Sequence, residues 1–87
     1  MDEHFTVWIK KACPFCVQTR EELFEQNADH TIHIMDDKPD RLAIVKEKWG
    51  HPTVPIIVRS HTATDGPALL IGGYTDLKKY LDGKKND

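Results

Sequence analysis

Phe5-Thr6-Val7-Trp8-Ile9-Lys10-Lys11-Ala12-Cys13-Pro14-Phe15-Cys16-Val17-Gln18-Thr19-Arg20-Glu21-Glu22-Leu23-Phe24 carries the chain from a strand pattern into a helix pattern across a pair of cysteines. The first six residues are β-branched and aromatic until Lys10, as a strand prefers. From Val17 onward the apolar residues recur at helical spacing. Pro14 falls at the first helical position, where its fixed φ suits a helix and its missing N–H costs nothing. Cys13 therefore sits at the helix entrance, next to unpaired backbone N–H groups and the positive end of the helix dipole. Both favour a thiolate over a thiol, as does Lys10 three residues upstream. Helix entrances of this kind lower cysteine pKa values to roughly 3.5–7.5. Cys16 lies one turn further in, where burial keeps it a thiol until it is needed. A C-x-x-C pair that opens a helix within an α/β pattern is a thiol–disulfide redox site. Cys13 is the expected nucleophile and Cys16 the expected resolving thiol.

The same spacing is half of a zinc site, and five histidines are present: His4, His30, His33, His51 and His61. Structural zinc takes four ligands in paired spacings. The chain has only two cysteines, so no second C-x-x-C exists. His30 and His33 are three residues apart within an apparent strand, Thr31-Ile32-His33-Ile34-Met35, and an odd offset turns them to opposite faces. No metal is expected. A purely structural disulfide fits poorly too, since small secreted scaffolds carry more cysteines.

Eighty-seven residues, 39% hydrophobic and 30% charged, fit one small domain over 1–87 that buries a modest core. The formal net charge of −2 offers no basic surface for nucleic acid. No apolar run is long enough to span a membrane. No repeat, low-complexity stretch or linker interrupts the chain, and Met1-Asp2-Glu3 is unlike a targeting segment. Two cysteines in one C-x-x-C without an export signal lead to the expectation of a reducing cytoplasm.

The coarse order is β-α-β-α-β-β-α. Strands are expected at about 4–10, 31–36, 53–58 and 68–71. The first helix covers about 14–27, ending in Asn27-Ala28-Asp29. Asp36-Asp37-Lys38-Pro39-Asp40 carries helix-start signals, Leu42, Ile44, Val45 and Trp49 fall on the second helix, and Gly50 closes it. Thr62 to Pro67 form a hairpin loop, and Gly72-Gly73 end the fourth strand. A last short helix runs from Thr75 to Leu81, with Gly83 past its end and a polar tail over 83–87. Two βα units, a hairpin and a final helix make a four-stranded mixed sheet flanked by three helices. The first two strands are apolar enough to be covered on both faces. Cys13, directly after the first strand, lies off the strand ends where such sheets bind ligands.

With strand, C-P-F-C, T-V-P and G-G in this order, the chain resembles the glutaredoxins, dithiol oxidoreductases of the thioredoxin-like fold. The resemblance covers almost the whole chain. Cys13-Pro14-Phe15-Cys16 is similar to the family motif, with Phe15 where tyrosine is common. Lys10 matches the lysine three residues before the nucleophile. Thr53-Val54-Pro55 matches the loop whose proline is cis in the family, although by itself Pro55 equally suits the start of an edge strand. Gly72-Gly73 matches the pair that, with the last helix, receives glutathione; its bland alternative is a strand terminator.

The resemblance implies no tightly bound cofactor and glutathione as reducing co-substrate. It implies attack of Cys13 on glutathione mixed disulfides or protein disulfides, ribonucleotide reductase being one target of the family. For glutathione it implies backbone pairing at Val54, as an added strand would make, with Thr53 and Pro55 beside it. Lys10 is the first candidate for the glycyl carboxylate, and Arg41, ahead of Lys38, is a second positive contact or a solvated helix face. Gly73, Thr75 and Asp76 take the γ-glutamyl end, the Asp76 carboxylate meeting its ammonium. Phe15 flanks the sulfurs. The chain departs from the family pattern at Thr75, where an acidic residue is frequent, and at Ile56, where glutamine is. Trp49-Gly50-His51-Pro52 is partly similar to monothiol relatives, and His51 is expected as a surface loop residue, with assistance to a proton transfer as the alternative. A redoxin of thioredoxin or NrdH type, reduced by a flavoprotein, is the alternative, and a cluster-binding dimer is disfavoured by Pro14. A monomer is the default.

Overall fold

The computed structural model of the protein describes residues 3–61 and 68–85. Its elements are β1 (Glu3–Ile9), α1 (Pro14–Glu25), β2 (His30–Ile34), α2 (Pro39–Trp49), β3 (Ile56–His61), β4 (Leu69–Gly72) and α3 (Tyr74–Lys85). They form one four-stranded sheet in the order β2-β1-β3-β4. β1 and β2 are parallel, with Val7 opposite Ile32, and a parallel pair needs a crossover such as α1. β3 runs antiparallel to both β1 and β4. This is the expected mixed sheet with three helices, a thioredoxin-like fold.

Side-chain alternation along β1 divides the core in two. Phe5, Val7 and Ile9 point to one face and pack with Cys16 and Leu23 of α1, Ile57 of β3, and Leu77 and Leu81 of α3. On the other face Met35, Leu42 and Ile56 are buried, with Trp8, Val45 and Trp49 against them, beneath α2. Ile56 and Ile57 are both fully buried because neighbouring strand residues face opposite ways and here each face has a helix to meet. An ion pair joins the two helices on the first face, Lys78 Nζ lying 3.3 Å from the buried Glu22 carboxylate. Gln26 Nε2 donates to the other oxygen of Glu22 at 3.0 Å. At the start of β1 the Tyr80 hydroxyl donates to Glu3, and Arg59 of β3 lies 3.5 Å from the same carboxylate.

Four sequence expectations change. The third strand starts at Ile56, not Thr53, because Pro55 has no N–H to give a ladder; Thr53-Val54-Pro55 is the turn that leads in. The second strand is not covered on both faces. β2 is an edge strand with Thr31, His33 and Ile34 exposed, and His33 stacks on Trp8 at 5.6 Å. The last helix continues through Gly83 to Lys85, since Gly83 has no left-handed φ and nothing within 4 Å of its Cβ position. The first helix stops at Glu25, and Asn27 takes the left-handed conformation at φ 55, which asparagine tolerates. Gly50 closes α2 as expected, at φ 62. The hairpin loop from Thr62 to Pro67 lies outside the described residues.

Two measurements check this packing. Leu23→Ala, which empties a fully buried site, is expected to cost about 2–5 kcal/mol in urea unfolding. Phe24→Ala, at a side chain 80% exposed, changes stability by about 0.5 kcal/mol or less. Burial first, and then the hydrogen bond to Glu3, push the Tyr80 hydroxyl up to about 12 from 10.0. The folded state thus holds this proton more tightly than the unfolded chain. The resulting stability is complete below pH 10 and is lost as pH rises from 10 to 12. Tyr80→Phe should unfold with a shallower pH dependence across that window; an identical slope would rule the contribution out.

Candidate active site

The junction of β1 and α1 places both cysteines. Cys13 is the N-cap of α1, with φ −97 and ψ 114, and Pro14 follows at the first helical position. The Cys13 carbonyl accepts the first helical bond, from Val17 N at 3.1 Å. In place of the hydroxyl or carboxylate that usually caps a helix, the Cys13 sulfur accepts the Cys16 N–H at 3.2 Å. An N–H aimed at sulfur from a helix entrance stabilises negative charge there. The Cys13 S–H also lies 3.8 Å from the Val54 carbonyl oxygen. Loss of its proton therefore breaks the contact to Val54 and keeps the one to Cys16. Upstream, the Lys11 N–H donates to Asp36 at 2.9 Å, tying the turn to the end of β2.

The two thiols are unequal. Cys13 is half-buried and Cys16 fully buried, and no disulfide joins them. Burial, reinforced by the hydrogen bond with Cys13, pushes the Cys16 thiol up to about 12. Cys16 is therefore a thiol at neutral pH.

Beside Cys13 runs a cleft of about 230 Å³. Small-molecule pockets span roughly 300–1,000 Å³, so this space suits part of a ligand whose remainder lies along the surface. One wall is Phe15, His51 and the turn Thr53–Pro55; the other is Gly73–Asp76. The Val54–Pro55 peptide is cis. Across the cleft Phe15 stacks on Tyr74, with ring centroids 6.2 Å apart and planes 23° apart.

The floor of the second wall depends on glycine. Asp76 reaches back one turn to accept the Gly73 N–H at 3.0 Å, the acidic half of a capping box. Gly72 has φ +120, and a Cβ there would meet the Asp76 carboxylate oxygen at 2.4 Å. Only glycine fits between the end of β4 and this carboxylate.

Phe15, Thr53, Val54, Pro55, Gly73, Thr75 and Asp76, all selected from the sequence, thus meet in one cleft, with the Cys13 sulfur next to Val54. Lys10 stands exposed just after β1, and Arg41 and Lys38 are exposed around the start of α2; none of the three lines the cleft. Two lining residues escaped the sequence argument. His51 lies in the loop after α2, as expected, and also lines the wall; its clue was its position two residues before Thr53. Tyr74 had a clue only in its place between Gly73 and Thr75. Among the described residues no group of three His, Cys, Asp or Glu side chains is arranged to hold a metal.

A helix-capping cysteine, a buried second thiol one turn on and a proline turn against the sulfur define a thiol–disulfide oxidoreductase site on a thioredoxin-like fold. The sequence profile of the glutaredoxins matches residues 5–61, well over half of the chain, and the protein belongs to the glutaredoxin family. Among solved structures it is similar to glutaredoxin 1 from Francisella tularensis, crystallised with cacodylate, at a TM-score of 0.71. That alignment covers 98% of this chain and 99% of the other at 24% identity, a likeness of fold. Comparison with curated proteins finds no match.

The inequality of the thiols has a direct readout. In the reduced protein at pH 8, iodoacetamide is expected to modify Cys13 first and Cys16 only after denaturation, as followed by peptide mass mapping. Cys16 labelling ahead of Cys13 would reverse the assignment.

Proposed function

We propose that the protein is a glutathione-dependent thiol–disulfide oxidoreductase. The observation that carries this reading is the cleft between the capped start of α3 and the turn at Val54, whose carbonyl oxygen lies 3.8 Å from the Cys13 sulfur. Its turn presents backbone to an extended peptide, as strand addition requires. Its far end offers the Asp76 carboxylate and the first N–H groups of α3, which suit the ammonium and carboxylate of a γ-glutamyl group.

In this reading the Cys13 thiolate attacks the glutathione sulfur of a protein–glutathione mixed disulfide. The S–S bond breaks, the protein sulfur leaves with the bonding pair and takes a proton, and a Cys13–glutathione disulfide forms. A second glutathione, as thiolate, attacks the glutathione sulfur of that adduct and releases the Cys13 thiolate and glutathione disulfide. Two glutathione thiols are oxidised overall where a protein disulfide is reduced, and one where glutathione is already on the protein. Burial first, and then the hydrogen bond with Cys13, hold the pKa of Cys16 up at about 12, so it stays a thiol while Cys13 attacks. Protein disulfides need it: Cys13 forms the mixed disulfide with the substrate, and Cys16 then displaces the substrate thiol. The protein acts as a monomer in a reducing cytoplasm, on glutathionylated or disulfide-bonded proteins, with ribonucleotide reductase one member of that class. Lys10 and Arg41 serve the glycyl end of glutathione, outside the γ-glutamyl cleft.

The test is a coupled assay with glutathione, glutathione reductase, NADPH and the mixed disulfide formed from hydroxyethyl disulfide. Turnover should vanish in Cys13→Ser and persist in Cys16→Ser. Loss of activity in both variants would make the reaction dithiol. A wild type inert with glutathione, yet able to reduce insulin once itself reduced by dithiothreitol, would move the assignment to a redoxin served by a flavoprotein.

A further inference from the structure

The glutathione reading leaves the γ-glutamyl carboxylate with backbone N–H groups at the start of α3 as its donors and with no lysine or arginine beside them. A γ-glutamyl group carries an ammonium and a carboxylate on one carbon, and the nine residues lining the cleft include neither lysine nor arginine. Asp76 supplies negative charge. The one lining side chain able to carry positive charge is His51.

Its geometry is fixed from three sides. The His51 backbone N–H donates to the Lys46 carbonyl at 3.0 Å, just past the end of α2. The ring nitrogen Nδ1 lies 2.8 Å from the Thr53 carbonyl oxygen. A carbonyl only accepts, so Nδ1 holds the proton of the neutral ring and Nε2 holds the lone pair. Nε2 and Cε1 turn toward Gly73, each 4.0 Å from where a Cβ on that glycine would be. Gly73 therefore stands between two opposite groups: its N–H binds the Asp76 carboxylate at 3.0 Å, and its open face meets the imidazole edge.

Building on the glutathione reading, we propose that His51 is a specificity-determining residue that binds the γ-glutamyl carboxylate through Nε2 and makes recognition of that group depend on pH. When the ring is protonated, Nε2–H is a charged donor to the carboxylate. When it is neutral, Nε2 is an acceptor facing an anion, and the contact turns repulsive. Histidine is the side chain whose charge ordinarily changes between pH 5 and 8. The titratable or charged groups around His51 are Tyr74 and Asp76 on the opposite wall, Cys13 beside Val54, and Lys46, Glu47 and Lys48 at the end of α2; Asp40 and Arg41 lie at the other end of α2, and Lys78, Lys79, Tyr80 and Asp82 further along α3. Cys13 acts in the chemical step, so a variant-to-wild-type ratio at each pH removes its titration from the comparison.

His51→Asn isolates the edge in question. The asparagine amide reaches about as far as Nδ1 and keeps a donor for Thr53, but it has nothing in the place of Nε2. In the coupled assay, the wild-type KM for a glutathione mixed disulfide is expected to rise from pH 6 to pH 8 relative to that of His51→Asn. The relative rise should be roughly three- to fivefold, the range of a partly exposed ion pair. With the mixed disulfide of cysteinylglycine, which lacks the γ-glutamyl group, the pH-dependent gap should close. Independently, S-methylglutathione, which cannot react, should raise the apparent pKa of His51 followed by its Cε1–H resonance, because binding and protonation are linked. Equal KM ratios at both pH values, a gap that persists with cysteinylglycine, or an unmoved His51 titration in a protein that turns over glutathione would overturn the role of His51. Absence of any glutathione turnover would instead remove the functional reading on which it rests.

Discussion

The inward face of β1 is the constraint on which the rest of this protein depends. Phe5, Val7 and Ile9 are at most 2% exposed and receive α1 and α3 together. Those helices carry the two halves of the site, Cys13 at the start of one and Tyr74–Asp76 at the start of the other. Cys16 belongs to the same buried cluster, so the packing that holds the helices down also suppresses ionisation of the second thiol. Burial here serves stability and chemistry through one set of contacts. The Glu22–Lys78 ion pair crosses between the same two helices; its Lys78 end is solvated, so its worth is modest beside the apolar contacts.

Polar functions along the cleft are carried largely by backbone and by small residues. The sulfur of Cys13 replaces an ordinary capping oxygen, and its partner is the N–H of Cys16. The acidic side chain of Asp76 closes the start of α3 and leaves room for itself only because Gly72 has no Cβ. Such groups need no side-chain reorganisation when a charged ligand arrives, since their orientation is already determined by helix geometry. The stacked pair Phe15 and Tyr74 spans the two walls and adds a flat apolar rim over which a peptide can lie.

Much of the fold was legible in the sequence, for local reasons. Pro14 after Cys13, Gly50 after Trp49 and the β-branched and aromatic run from Phe5 to Ile9 each obey a short-range rule, and each holds in the structure. The errors also share a cause. Thr53 and Val54 have strand composition, yet the proline that follows makes them a turn. Gly83 has the composition of a stop, yet nothing in its surroundings requires a left-handed residue, so α3 runs on. β2, His30-Thr31-Ile32-His33-Ile34, is expected to be covered on both faces, yet it lies at the edge because the chain crosses back to pair β3 with the other side of β1. Strand order is a property of the whole sheet, and no local pattern contains it.

By itself the sequence determined the chemistry: two thiols one helical turn apart, a proline to start the helix, and strands to anchor it. These follow from covalent spacing and from φ limits that act within a few residues. Only the tertiary structure decided which groups share the cleft. It joins residues near positions 15, 53 and 74, sets Lys10 and Arg41 outside, and turns a histidine from an unremarkable loop toward Gly73. That selection is made by the closure of helices onto both faces of one sheet, because distances across a packed core depend on side-chain volumes contributed by every element at once.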